Sequence, residues 1–463
     1  MSAGRAKPER GGAHPRWTLV ICILASSLSF VDGSVLNVAL PAIRASFSAG
    51  AQDVQWVVNA YLLPLSALLL LGGALGDHFG RRRLLVLGTG LFAAASLVCA
   101  LAPALPLLLA ARAIQGVGAA LLLPNSLALL NAAFSGEKRG RAVGIWAAAG
   151  AATAAGAPLL GGWLVDAVGW PAIFYINLPL ALGAILLALR FVTESREQGE
   201  GRTDYAGAVL VTAGLGGLTY ALTQWSASGR FAVASAASVG IGIVLMGAFL
   251  VVERRRGHRA MLPLDLFGNR AFAGLNLLTF LLYGAFGAAM LLLPYVLITA
   301  GSYSPVEAGL AMLPLPVLMT ALSPVMGSLA ARIPLIAGPV IAGGGIALSR
   351  LVTAHSSYWS GAFPAILVMA TGMTIAVAPL TSSVLGSVEE KHVAMASGFN
   401  SAVARLGGLI ATALLGSVLG RAGSALFAGF HAAMMVSAVV AAAAGVVALV
   451  MLGQLKAKPA ERR

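Results

Sequence analysis

Gly73-Ala74-Leu75-Gly76-Asp77-His78-Phe79-Gly80-Arg81-Arg82-Arg83 separates two long apolar runs, and its residue types suit a tight charged turn between two membrane helices. Gly73 lets helices approach closely. Gly80 turns the chain without a Cβ penalty, Asp77 can face a helix N-terminus, and three consecutive arginines hold the loop on one side of a bilayer. The runs on either side, Gln55 to Leu75 and Leu84 to Ala102, each approach the roughly 20 apolar residues that cross ~30 Å of hydrocarbon.

Runs of the same kind fill the rest of the chain. They lie at about Trp17 to Leu40, Leu107 to Leu130, Ala142 to Val165, Trp170 to Val192, Tyr205 to Trp225, Phe231 to Val252, Ala271 to Thr299, Pro305 to Ala330, Pro334 to Thr353, Gly361 to Gly386, Val393 to Leu419 and Phe427 to Leu452. With the pair around the quoted loop, fourteen spans are expected. Composition agrees: 59% of the 463 residues are apolar and 10% charged, against about 25% charged in soluble domains, which excludes a water-soluble protein. The first 16 residues are basic and the run after Trp17 is long enough to span, so no cleavable signal peptide is expected. Cys22 and Cys99 lie inside apolar runs and read as buried thiols rather than a disulfide framework.

Charge placement fixes the orientation, because Lys and Arg collect in short cytoplasmic loops. With the N-terminus inside, 24 of the 30 basic residues fall on the cytoplasmic side, four (Arg44, Arg230, Arg350, Arg421) outside and two (Arg112, Arg405) within spans. A missed span would reverse this alternation, so both termini are expected in the cytoplasm. The net charge of +14 then reflects basic loops and requires no nucleic-acid partner. A shift of 254 or 255 residues superposes Gly73-Ala74-Leu75 on Gly327-Ser328-Leu329, Pro124 on Pro379, Gly144 on Gly398 and Gly162 on Gly416. Two repeated halves around a central pathway are a transporter layout. The expected organisation is a cytoplasmic tail over 1–16, a six-helix half over 17–192, a cytoplasmic loop over 193–204, two inserted helices over 205–252, a basic loop over 253–270, a second six-helix half over 271–452 and a tail over 453–463.

The quoted loop resembles the signature loop of the major facilitator superfamily, with glycine, leucine, aspartate, glycine and basic residues at the family's spacing. The resemblance implies an all-α integral membrane protein of the major facilitator fold, here two six-helix halves plus two extra central transmembrane helices. It implies an inner gating latch built from Gly73, Asp77, Gly80, Arg81 and Arg82; Ala331 replaces the aspartate in the second half. Trp170 to Pro179, Gly301 to Leu310 and Asn400 to Gly408 are similar to segments of the fourteen-span drug:proton antiporter branch, the EmrB/QacA type. Glu389 and Glu390, before the thirteenth span, are expected to offer the Asp77 loop its docking surface.

Asp32 is the acidic residue clearly inside a span, and an intramembrane carboxylate is a functional candidate by default. Low dielectric favours a protonated carboxyl and a nearby cation favours the ionised form, so such a group can load and release a proton as its surroundings change. Depth nominates its partner. Asp32 lies nine residues from Pro41, ~13 Å along the helix, and Arg112 lies roughly 8 Å inside span four, in the same layer. Val31 to Pro41 is similar to the first-span motif of proton-coupled exporters, and Leu109 to Gly118 resembles the family's fourth-span arginine motif. Asp32 and Arg112 are thus expected to couple transport to protons. In span five, Gly144, Pro158, Gly161 and Gly162 resemble the motif that separates antiporters from importers, although Ala157 stands where a glycine usually precedes the proline.

Asn37, Trp56, Asn59, Tyr61, Gln115, Phe280, Tyr283, Phe286 and Asn400 are candidates to line the substrate cavity. No phosphate-binding loop ending in Lys-Ser or Lys-Thr occurs, so ATP is not the expected drive. The six histidines lack metal-ligand spacing, no serine nucleophile elbow occurs, and neither an enzyme nor a bound metal or other cofactor is expected. The reading is a monomeric, multi-pass cell-membrane exporter of small amphipathic or cationic organic compounds, driven by the proton gradient. A dedicated exporter of one endogenous metabolite is the alternative, ahead of a proton-coupled importer.

Overall fold

The computed structural model describes residues 14–134, 136–196, 204–230, 233–257, 264–327, 332–388 and 393–452. Most of the N-terminal tail, the C-terminal tail, residues 197–203 and 258–263 of the charged loops, Ser328, Leu329 and Ala331 of the repeated loop, and Glu389 and Glu390 lie outside the described residues.

The described elements are helical, as a hydrocarbon environment demands of a backbone that must satisfy its own N–H and C=O groups. They run α1 (Pro15–Ser46), α2 (Ala51–Phe79), α3 (Arg81–Ala100), α4 (Leu105–Ala133), α5 (Gly136–Ala167), α6 (Ala172–Tyr175), α7 (Asn177–Phe191), α8 (Tyr205–Ser228), α9 (Val233–Arg256), α10 (Arg270–Thr299), α11 (Pro305–Ala311), α12 (Pro314–Gly327), α13 (Arg332–Leu348), α14 (Ala362–Gly386), α15 (Val393–Ala413), α16 (Gly416–Leu419) and α17 (Gly423–Leu452). Local sequence sets their ends. The Asp204 carboxylate accepts from Gly207 N at 2.7 Å to start α8, and Asn269 accepts from Ala271 N at 2.9 Å to start α10. At α11, Ser304 and Glu307 close a reciprocal capping box.

Among the described residues, 12 helical stretches are long and apolar enough to cross a membrane, which makes this a multi-pass membrane protein. Two further long helices, α5 with 32 residues and α15 with 21, pack into the same bundle. In the N-terminal group, α2 and α3 lie on α4 while α1 lies on α5, α4 and α7. In the C-terminal group, α13 sits against α14 and α17, and α10 against α15 and α17. The groups meet along α5 with α11, α2 with α15, and α1 with α10. Between them α8 packs on α2 and α15, with α9 behind it. Val233, Ile243 and Val244 on α9 are largely exposed, the pattern of a lipid-facing surface.

The two ends of the bundle differ. Near Ser46, hydrogen bonds join the groups: the Arg44 guanidinium donates to the Tyr295 hydroxyl and, at 2.8 Å, to the Leu419 carbonyl. Gln55 Nε2 donates to the Thr412 carbonyl at 2.7 Å and Val306 N to Asp166 Oδ2 at 3.2 Å. Small residues allow the closest approach there. A Cβ on Gly162 would strike the Pro305 carbonyl, and one on Gly309 the Pro158 carbonyl. Towards the Gly80 end, a cavity of about 120 Å³ opens among α10, α14 and α15.

Candidate functional site

Asp32 and Arg112 meet at the centre of the N-terminal group, with Arg112 Nη1 2.6 Å from Asp32 Oδ2 and both side chains 1% exposed. Burial of two charges costs several kcal/mol per ion unless their remaining hydrogen-bonding capacity is filled, and here it largely is. Gln115, one turn after Arg112 on the same face of α4, donates through Nε2 to Asp32 Oδ1 at 3.0 Å and accepts from Arg112 Nη1 at 2.7 Å. Arg112 Nε donates to the Val57 carbonyl of α2 at 3.1 Å. The guanidinium lies over the Tyr61 ring at 4.5 Å and the Phe174 ring at 5.8 Å, cation–π contacts that strengthen when desolvated. A second layer fixes the clamp: Gln115 Nε2 also donates to Ser96 Oγ at 2.8 Å, Asn177 Nδ2 donates to the same oxygen at 3.2 Å, and the Tyr61 and Ser29 hydroxyls pair at 2.7 Å. Five helices and the short α6 thus close around one ion pair.

Other site candidates fall in separate places. Of the cavity candidates, Tyr283 and Asn400 line the cavity among α10, α14 and α15 with Thr381, Val384 and Ser401. Asn400 Nδ2 is shared between Thr279 Oγ1 at 2.7 Å and Asn276 Oδ1 at 3.1 Å. Tyr61 and Gln115 belong instead to the shell of the ion pair. Asn59 is fully buried in α2, and neither of its side-chain polar atoms has a partner among the described residues. Asn37, Trp56, Phe280 and Phe286 are partly exposed and stand away from the cavity lining. In α5, Gly161 abuts Val35 of α1 and Gly162 abuts α11 at Pro305, while Gly144 has open space where a Cβ would lie. Pro158 sits inside α5, where it removes a helix hydrogen bond.

The signature loop is held from an unforeseen direction. Asp77 pairs with Arg81 at 2.7 Å. Glu194, just past α7, accepts from the backbone N–H groups of Arg82 at 3.0 Å and Arg83 at 3.2 Å, so a carboxylate distant in sequence caps α3. Arg82 also donates to the Val192 carbonyl at 3.1 Å. Gly80 has φ 111°, and a Cβ there would lie 2.7 Å from the Glu194 carboxyl carbon, two reasons for glycine.

Sequence reasoning missed Glu194, Ser96, Val57, Phe174 and Asn177. Gln115 was legible as more than a cavity residue, because it lies three residues after Arg112 and shares its face.

A multi-pass helical bundle with a buried ion pair in one group and a cavity in the other is the architecture of a membrane transporter for small molecules. The chain belongs to the major facilitator superfamily, whose family model matches residues 22–412. It is 33% identical over 410 residues to multidrug resistance protein Stp of Mycobacterium tuberculosis (strain ATCC 25618 / H37Rv), covering 87% of this chain and 75% of that protein. It is 35% identical over 416 residues to cephamycin export protein CmcT of Amycolatopsis lactamdurans, covering 87% of this chain and 84% of that protein. The crystal structure of peptide transporter POT in complex with sulfate superposes with TM-score 0.69 over 96% of both chains at 15% identity, a likeness of fold.

Proposed function

We propose that this chain is a fourteen-span, proton-driven exporter of small organic molecules, of the drug:proton antiporter branch, working as a monomer in the cell membrane with both termini in the cytoplasm. The observation that carries the reading is the clamped Asp32–Arg112 pair. Arg112 Nη1 lies 2.6 Å from Asp32 Oδ2, and this bond ties α4 to α1. Protonation neutralises the carboxylate and frees the guanidinium, so the bonds linking α1, α2 and α4 at this point differ between the two proton states. Helices α5 and α15, added to the twelve apolar stretches, give the fourteen spans. Taking the Gly80 end as cytoplasmic, the bonds of Arg44, Gln55 and Asp166 close the outer side while the cavity lies towards the inside. Asp77 and Arg81 with Glu194 then form the inner gate, and the α5–α11 contact through Gly161, Gly162 and Pro158 is the seam about which the halves rock. Each charge crossing contributes ~2.3 kcal/mol per 100 mV, and no bound cofactor is needed.

The names of Stp and CmcT support export as the direction. They differ in breadth, one named for many drugs and the other for one compound, so dedicated export of a single metabolite is the second reading. In inside-out vesicles, substrate-induced proton release across a compound panel tests both. Release lost in Asp32→Asn is expected. Full proton-coupled transport by Asp32→Asn would sink the mechanism, and a single responsive compound would favour the dedicated exporter.

A further inference from the structure

Two arginines lie within the described membrane interior, and they are treated oppositely. Arg112 is neutralised by Asp32. Arg405, near the middle of α15, has no hydrogen-bond or ion-pair partner among the described residues, although its charge interacts with the phenols of Tyr61 on α2 and Tyr283 on α10. A guanidinium carries five N–H donors and cannot shed its charge at physiological pH, and leaving such a group unpaired in the membrane is costly. Arg405 is not itself in the lining of the cavity among α10, α14 and α15, but its neighbours are. Ser401, one turn earlier on α15, and Tyr283 both line this cavity, as does the neighbouring Ala404. Small-molecule sites carry a few placed polar groups on an apolar lining; here Val384, Leu385 and Ala404 stand beside Asn400, Ser401 and Thr381. Asp32, the carboxylate buried within a span of the other group, has both oxygens engaged by Arg112 and Gln115, so it does not offer Arg405 a counter-charge.

We propose that Arg405 is a substrate-binding residue that pairs with an anionic group, a carboxylate or ionised phenol, on an otherwise apolar exported molecule. Bidentate pairing of a planar anion is what a guanidinium does best. Tyr61 belongs to the shell of the proton site, its ring covering Arg112, and α2, which carries it, packs on α15, which carries Arg405. The proposal rests on the export reading for direction, whereas binding itself does not.

The test uses the full-length protein in detergent and three fluorescent probes on one scaffold: pyrenebutyrate, its methyl ester and pyrenebutylamine. The wild type is expected to bind the acid at least about tenfold more tightly than the ester, the size of a charge-assisted hydrogen bond, and the amine most weakly. Arg405→Gln should bring the acid-to-ester ratio to about one with ester binding retained, and Arg405→Lys should keep an intermediate ratio. A wild-type ratio near one, or a ratio that survives in Arg405→Gln, overturns the proposal. Should Arg405→Gln not fold, the wild-type ratio and Arg405→Lys still decide it. Vesicles separate the two readings. Ester exported under a proton gradient without acid preference leaves export standing and removes the Arg405 site; acid preference in binding with no gradient-driven movement of any probe does the reverse.

Discussion

Arg112 and Arg405 are the same residue type within spans of opposite groups of helices, yet one is enclosed by partners and the other has no hydrogen-bond or ion-pair partner among the described residues. Arg112 bonds to Asp32, Gln115 and the Val57 carbonyl and is capped by Tyr61 and Phe174. It is fully buried, whereas Arg405 is partly exposed. The difference teaches that a membrane-embedded charge has two kinds of counter-charge available, one supplied by the protein and one by what the protein carries. The first belongs to structure and proton chemistry, the second to substrate.

The comparison is most sharply tested by truncating each arginine. Arg112→Ala leaves the Asp32 carboxylate buried without its cation and should destabilise by roughly 3–5 kcal/mol, read as a large fall in Tm in detergent. Adding Asp32→Asn to that variant should recover most of the loss, since no uncompensated charge then remains. Arg405→Ala removes a charge that no side chain among the described residues neutralises, so Tm should stay unchanged or rise. A fall in Tm as large as that of Arg112→Ala would mean Arg405 is structural, and the contrast would collapse. Gln115→Leu should fall between, costing about 1.5–3 kcal/mol for hydrogen bonds to two charged groups, with proton-coupled transport weakened while substrate binding persists.

Much of this arrangement was legible in the sequence. Apolar runs separated by basic loops gave the helices, because the bilayer imposes both length and charge asymmetry. Depth counting brought Asp32 and Arg112 into one layer, since rise per residue is fixed along a helix. The remainder depends on contacts that no local pattern encodes. Ser96 and Asn177 meet Gln115 through helix packing alone, and Glu194 reaches the signature loop only because α7 ends beside α3. Nor does sequence reveal that Tyr61, read as a cavity aromatic, sits over Arg112. Arg405 was recognised as basic within a span, but its lack of a partner is a property of three-dimensional neighbours.

A third charged cluster supplies the smallest expected effect and bounds the comparison from the solvent side. At the signature loop, Asp77 is 45% exposed and its partner Arg81 18%. Water screens such a pair, and exposed ion pairs contribute about 0.2–1 kcal/mol. Asp77→Asn should therefore leave stability within about 1 kcal/mol of wild type, far from the change at Arg112. Its consequence belongs to the balance between states: the loop stays capped by Glu194 through the backbone of Arg82 and Arg83, while the charge available for an inner latch is lost. Transport by Asp77→Asn should drop with little loss of stability and with the pyrenebutyrate-to-ester binding ratio unchanged. A Tm loss comparable to that of Arg112→Ala would show that the loop, and not the buried pair, anchors the N-terminal group.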